Sequence, residues 1–283
     1  MDDVRLLDSH LHLWDPGHLH YAWLEGPLAA RHDVAELTAA LQDAPAVSER
    51  AFVFVQADCA PEQAVDEVDW VVERAGVADI RGVVAFAPVE RPSDLDDVLA
   101  RLCKRPLVRG IRRLLQGEDR GFALSPEFLA GAHAIARAGL TFDACVRHDQ
   151  LADVVALADA VPELTIVLDH LGKPDLSSAP AARWMGDIAA LAERENTVAK
   201  ISGLPAEARG PWTPEGLRPY LDVALEAFGP ERLMIGSDWP VCRLAGEYTP
   251  VMQLAIDFMQ THAPEHMDAF LGGNALAFYG ITA

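Results

Sequence analysis

The sequence predicts an α/β fold, a (β/α)8 TIM barrel, on three observations: eight short apolar runs, helix-periodic segments between them, and polar residues terminating most of the runs. The runs are Leu6–Ser9, Ala51–Ala57, Arg81–Ala87, Val108–Leu114, Leu140–Val146, Thr165–His170, Val198–Gly203 and Leu233–Asp238. They are nearly continuous in apolar and β-branched residues, which is how strands read when a parallel sheet is covered on both faces. Eight such units close naturally into a barrel, whereas a doubly wound sheet more often has about five or six strands. The turn after the first run reads HLHLWDPG, with no glycine-rich dinucleotide fingerprint.

The connecting segments are helical in pattern. AVDEVDWVVERAG follows the second run, DLDDVLARLC the third, PEFLAGAHAIARAG the fourth, QLADVVALADAVP the fifth, RWMGDIAALAERE the sixth and PEGLRPYLDVALEAFG the seventh. Apolar residues recur at three- and four-residue spacing, with Ser, Pro or Asp at several starts and Gly or Pro at several ends. Ser125 and Pro126 open one helix and Gly139 closes it. The longest gap, about residues 14–32, contains WDPGHLHYAWLEGP and is expected to form a loop or lid before the DVAELTAAL helix. With no linker, repeat or low-complexity block, residues 1–283 read as a single barrel domain.

Composition narrows the partners. Lys plus Arg number 23 against 43 Asp plus Glu, a formal charge of −20, which repels nucleic acid and anionic bilayers and leaves a small molecule as the expected partner. No apolar run reaches the roughly 18 to 20 residues that cross a bilayer, and no signal-like segment opens the chain, so a cytoplasmic protein is expected. Cys59, Cys103, Cys145 and Cys242 form no CxxC pair and read as reduced, mostly buried thiols. The acidic surface is compatible with a monomer or a homodimer.

A barrel of this kind builds its active site at the carboxyl ends of its strands. There the chain places SHLH, QAD, RR, DH, KISG and SDW. A strand gains nothing from such endings structurally, since an unpaired buried polar group costs roughly 2–7 kcal/mol. His10 and His12 share a side of an extended strand. With His170 and Asp238 they make an N/O donor set suited to zinc or manganese. Asp238, in GSDWP, is the expected general base, taking a proton from water and passing it to a leaving group. Asp169 is expected to face away from His170, as a structural partner. Arg109 and Arg113 share a parity that Arg112 lacks, and Arg112 is the favoured clamp for a carboxylate or carbonyl. Lys200 and His148 either line the site or satisfy a local charge. Trp14, Tyr21 and Trp23 offer flat walls for a ring, and Trp239 is a further candidate substrate contact.

Taken together, SHLHLWDP, VRGIRRLLQ, VLDHLGKP, KISGL, LMIGSDWPV and NALAFYG resemble the amidohydrolase superfamily over about residues 6 to 280. More narrowly, they are similar to its sugar-lactone hydrolase branch, which includes L-fuconolactonase-like, L-rhamnonolactonase-like and 2-pyrone-4,6-dicarboxylate lactonase-like proteins. The resemblance implies a distorted, amidohydrolase-like barrel that hydrolyses a lactone ester. It matches His10 and His12 to the first-strand pair, His170 to the histidine after strand six, Asp238 to the water-activating aspartate after strand eight, and Arg112 to a substrate contact. Binuclear members carry a bridging lysine or glutamate at the end of strand four, where this chain has arginines. One divalent ion is therefore expected, zinc before manganese, with metal-free operation as the alternative the branch also allows. Two other functions share these features: metal-dependent non-oxidative decarboxylation of an aromatic or unsaturated acid, and sugar-acid binding without catalysis.

Overall fold

The computed structural model describes residues 5–44, 47–208 and 210–282. Eight strands, β1 (Arg5–Leu11), β2 (Glu49–Val55), β3 (Ile80–Ala85), β4 (Val108–Arg112), β5 (Thr141–Ala144), β6 (Ile166–Leu168), β7 (Thr197–Ile201) and β8 (Leu233–Ile235), pair in parallel and in sequence order. Seven of the eight expected runs extend two or three residues beyond the strand that forms. The polar residues at their ends leave the ladder and turn over the mouth of the barrel. β1 does the opposite and continues to Leu11, so that His10 stays within the strand.

Helices α1 (Val34–Ala40), α2 (Ala64–Ala78), α3 (Pro92–Leu102), α4 (Pro126–Arg137), α5 (Leu151–Ala160), α6 (Ala182–Ala192), the short α7 (Leu204–Glu207), α8 (Pro214–Phe228) and α9 (Tyr248–His262) cover the sheet. α9 is absent from the helices read in the sequence. Local chemistry sets the ends: Ser125 Oγ accepts from Phe128 N–H at the start of α4, and Asp33 with Glu36 forms a capping box at α1. No helix among the described residues is long and apolar enough to cross a membrane. Cys59, Cys145 and Cys242 are buried and Cys103 is exposed, all as free thiols.

Alternation along the strands divides the core. Ala51, Val53 and Val55 of β2 face the barrel interior with Val84, Val167, Val198 and Met234, while Phe52 and Phe54 face the helices. A C-terminal segment, the π-helix Ala269–Gly273 followed by α10 (Asn274–Phe278), reaches the interior at its end, where Tyr279 and Ile281 join the inner cluster. Asn274 anchors it by donating to the carbonyls of Pro230 and Leu233.

Between β1 and β8 the barrel closes by a seam rather than a regular ladder. Asp238 N–H donates to His10 O at 2.9 Å, His12 N–H to Trp239 O at 2.7 Å, and Ser9 Oγ to Ile235 O at 2.7 Å. The buried Asp8 carboxylate accepts from the backbone amides of His10 and Ser237. Closure of the barrel thus joins the two segments that carry the candidate chemistry.

Candidate active site

His10 and His12 lie on one side of β1 and its extension, with their Nε2 atoms 3.2 Å apart. Asp238 Oδ1 faces both, 3.8 Å from His10 Nε2 and 3.4 Å from His12 Nε2, and lies 4.0 Å from His170 Nε2. The opposite ring nitrogens have partners of their own. His12 Nδ1 donates to Val55 O at 2.7 Å, which leaves Nε2 with its lone pair. His170 Nδ1 pairs with Ser202 Oγ at 2.9 Å. His10 Nδ1 lies 3.3 Å from Asp169 Oδ1, with Lys200 Nζ alongside at 3.2 Å, and Arg112 Nη1 approaches Nε2 at 3.4 Å. Lys200 and Arg112 only donate and face opposite ring nitrogens, while Asp169 only accepts, so a His10 proton held against Asp169 puts the lone pair on Nε2.

Burial lowers the pKa of all three imidazoles, leaving them neutral at neutral pH. Burial alone would raise the Asp238 carboxyl, but His170, His12 and His10 outweigh it and hold that carboxyl well below the usual carboxylate range. The product is three neutral imidazoles turned by their Nδ1 partners toward one ionised carboxylate.

Backbone strain marks the same positions. Asp58, His170 and Asp238, just beyond β2, β6 and β8, have φ of 58°, 54° and 57°, in the left-handed region that costs a non-glycine residue about 1–3 kcal/mol. Two glycines make room for the imidazoles. A Cβ at Gly203, whose φ is 66°, would stand 2.4 Å from His170 Nδ1, and one at Gly236 would stand 2.7 Å from His10 Cβ.

These groups open onto a cavity of about 220 Å³, on the small side for a small-molecule site. His12, His170, Asp238 and Arg112 form part of its wall, Trp23, Leu114 and Val241 an apolar part, and Asp58, Gln116, Cys145 and Lys173 much of the rest. Arg112 is fixed by its neighbours: Nη2 donates to Gln56 O, and Nη1 lies 3.4 Å from Asp169 Oδ2. The two arginines of the other parity lie elsewhere. Arg113 pairs with Glu90 and Glu118, and Arg109 is half-buried outside this wall.

Several expected contacts are not brought to the cavity. Trp14 is wholly buried and donates from its indole to the carbonyls of Leu28 and Ala30, so it holds the long loop together from within. Tyr21 packs in the same small cluster with Leu19, Leu28 and Cys59. Trp239 is wholly buried with its ring against His32. His148 lines a separate surface hollow with Pro174 and Asp175. Of the three loop aromatics, Trp23 alone lines the cavity, because its indole donates to Ala57 O at 2.8 Å and turns the ring inward.

Asp169 does not face away as alternation predicts. The chain leaves the strand at Leu168, and Asp169 turns inside to His10, Arg112 and Lys200. Lys200 lies beneath the cavity, wholly buried, with Nζ 2.6 Å from Asp143 Oδ2 and 3.1 Å from Asp169 Oδ1. Tyr279 OH donates to Asp143 at 2.6 Å. Asp143 and Tyr279 had no role in the sequence reading. The signal for Asp143 was a lone acid inside the apolar run LTFDACV.

The donor set fits one divalent cation. Two nitrogens bound to zinc at about 2.0–2.1 Å with near-tetrahedral angles stand about 3.3 Å apart, close to the spacing of the His10 and His12 Nε2 atoms. His10, His170 and Asp238 also offer ligand atoms within 4.8 Å of one another. Cys145, Asp169 and His170 meet the same distance limit. That second trio is the poorer fit, because Asp169 is committed to Lys200, Arg112 and His10, and burial pushes the Cys145 thiol up to about 11.

Comparison with known proteins identifies the family. An L-fucono-1,5-lactonase of Burkholderia multivorans is 31% identical over 97% of this chain and 96% of its own length. An L-rhamnono-gamma-lactonase of Scheffersomyces stipitis is 25% identical over 58% of this chain and 57% of its own. Among solved structures, an amidohydrolase of Burkholderia multivorans with bound zinc superposes with a TM-score of 0.87 at 30% identity, covering 99% of this chain and 100% of that one. The profile of the amidohydrolase family matches residues 7–281, from within β1 to the C-terminal segment that enters the barrel, and the chain belongs to that family.

Proposed function

We propose that this protein hydrolyses the ester bond of a sugar-acid lactone, a 1,4- or 1,5-lactone, to the open hydroxy acid. The observation that carries the reading is the convergence of three Nε2 atoms on Asp238 at the wall of a small cavity, in a chain related over nearly its whole length to a lactonase. Such esters are already electrophilic, so a mononuclear centre meets the chemical demand.

His10, His12, His170 and Asp238 would hold one divalent cation, zinc before manganese. When bound, such a cation polarises the lactone carbonyl as a Lewis acid and lowers the pKa of water. Asp238, ionised across the neutral range, takes the proton of the attacking water as the new C–O bond forms. Arg112, whose guanidinium only donates, flanks the carbonyl oxygen, where negative charge develops. As the ring C–O bond breaks, Asp238 returns its proton to the ring oxygen, giving one carboxyl and one hydroxyl from one lactone and one water. Trp23, Leu114 and Val241 pack against the apolar face of the ring.

The test is a pH-indicator hydrolysis screen over sugar lactones, with metal-depleted and zinc- or manganese-restored protein. Turnover of at least one aldonolactone supports the reading. Saturable binding without turnover across the panel overturns it.

A further inference from the structure

Asp58, an exposed residue just beyond β2, lines the cavity and has no side-chain hydrogen bond or ion pair among the described residues, while much of the backbone around it is held. Its neighbours are held by hydrogen bonds, although Gln56 Nε2, Glu67 Oε2 and Arg112 Nε stay unpaired among the described residues. His12 Nδ1 takes Val55 O, Arg112 takes Gln56 O, Trp23 takes Ala57 O, and the buried Glu67 takes Ala57 N–H at 3.0 Å. The Asp58 amide itself donates to Gln56 Oε1 at 2.5 Å. The left-handed φ of 58° at Asp58 is thereby imposed from both sides of the chain. A carboxylate on so constrained a backbone is preorganised, and among the described residues it makes no hydrogen bond or ion pair.

The cations of the cavity are differently placed. Lys173 Nζ is paired with Glu207 at 2.9 Å, and Arg112 with Asp169. Away from the metal-binding imidazoles, the cavity wall therefore offers one uncommitted carboxylate, whereas Arg112 and Lys173 each already face a carboxylate of their own. An anionic ring substituent would have to approach the Asp58 carboxylate while the two cations of the wall are already shared with Asp169 and Glu207. Hydroxyl groups suit the site instead, because an ionised carboxylate accepts only, and two adjacent hydroxyls can donate to its two oxygens together.

Building on the lactonase reading, we infer that Asp58 is the specificity-determining residue of the site: it accepts from a vicinal pair of hydroxyls, so the substrate is a neutral polyhydroxylated lactone. Gln116, whose Oε1 faces Cys145 Sγ at 3.7 Å, leaves its amide N–H groups for a further hydroxyl oxygen. A site built to bond substrate hydroxyls discriminates against the analogue that lacks them.

The experiment compares wild type, Asp58→Asn and Asp58→Ala on three lactones: a neutral aldonolactone found in the screen above, δ-valerolactone, which has no hydroxyls, and the uronic counterpart of the aldonolactone, in which the terminal carbon is a carboxylate. Zinc content measured by mass spectrometry and the circular dichroism spectrum report whether each variant keeps its fold and metal site. We expect Asp58→Ala to lose about tenfold to a hundredfold in kcat/KM on the aldonolactone, in line with a charged hydrogen bond, and less than twofold on δ-valerolactone. Wild type should disfavour the carboxylate lactone by at least about tenfold, and Asp58→Asn should narrow that gap. Equal losses on the aldonolactone and δ-valerolactone, or a wild type that prefers the anionic lactone, overturn the inference while leaving the lactonase reading in place. A wild type inactive on every lactone overturns that reading itself.

Discussion

The Nε2 atoms of His10 and His12 stand 3.2 Å apart, each with its lone pair turned toward the other and toward Asp238. Two acceptors so close repel unless a cation or a shared proton lies between them. The pair is therefore the most direct probe of the metal. Dialysis against a chelator should remove one equivalent of divalent ion per chain and lower kcat at least about tenfold, with recovery on adding zinc. His12→Ala should weaken zinc retention, read as metal content after dialysis, by about tenfold to a hundredfold, as losses at metal sites typically run. Full activity in protein shown to be metal-free would instead assign oxyanion stabilisation to Arg112.

Asp238→Asn keeps the shape of the carboxylate and removes its ability to accept a proton. We expect kcat to fall by about a hundredfold or more, with KM changed far less. Stopped-flow or pH-indicator rates at saturating lactone measure this. Near wild-type turnover would remove Asp238 from the role of base.

Lys200 is held by Asp143 and Asp169 with no access to water. Burial disfavours its charge, but the two carboxylates outweigh that and raise its pKa. Removing the cation strands two buried acids, so Lys200→Met should cost roughly 3–5 kcal/mol of stability in urea unfolding. The double substitution with Asp143→Asn should recover part of that loss, because one of the stranded charges is gone. A Lys200→Met protein as stable as wild type would show that the pair is not ionised.

Glu67 on α2 is wholly buried, and burial, only partly opposed by the Ala57 amide, pushes its pKa from 4.5 up to about 7. The folded state therefore binds this proton more tightly than the unfolded state. Stability linked to it is complete below pH 4.5 and is lost as pH rises to about 7, a change of about 3 kcal/mol. Glu67→Gln, which stays neutral and can still accept from Ala57 N–H, should flatten this dependence and be the more stable protein at pH 8. Urea midpoints from pH 4.5 to pH 8 that fall equally in both proteins would place the titration elsewhere.

Strand identity was written plainly in local residues. The alternation of Ala51, Val53 and Val55 against Phe52 and Phe54 appears in the sequence as a solid apolar run, and the run itself signals burial on both faces. His10 and His12 are equally legible, because β1 stays extended through them and alternation holds. The same rule fails past the end of β6. Asp169 was expected to face away from His170, yet both turn inside because His170 to Lys173 all adopt left-handed φ. Asp58 and Lys173 lay within the motifs QAD and HLGKP without a role, since no periodicity says where a left-handed residue points.

By itself the sequence determined eight strands, most of their covering helices, and which donors stand at the strand ends, since burial pattern and residue chemistry are local properties. Tertiary structure alone decided that Trp23 faces the cavity while Trp14, Tyr21 and Trp239 are packed away, that Lys200 lies beneath His10, and that Asp58 has no partner. Those outcomes depend on hydrogen bonds between segments far apart in the chain, such as Trp23 to Ala57 and Asp238 to His10. The direction of a loop side chain is fixed only when such a bond holds its backbone.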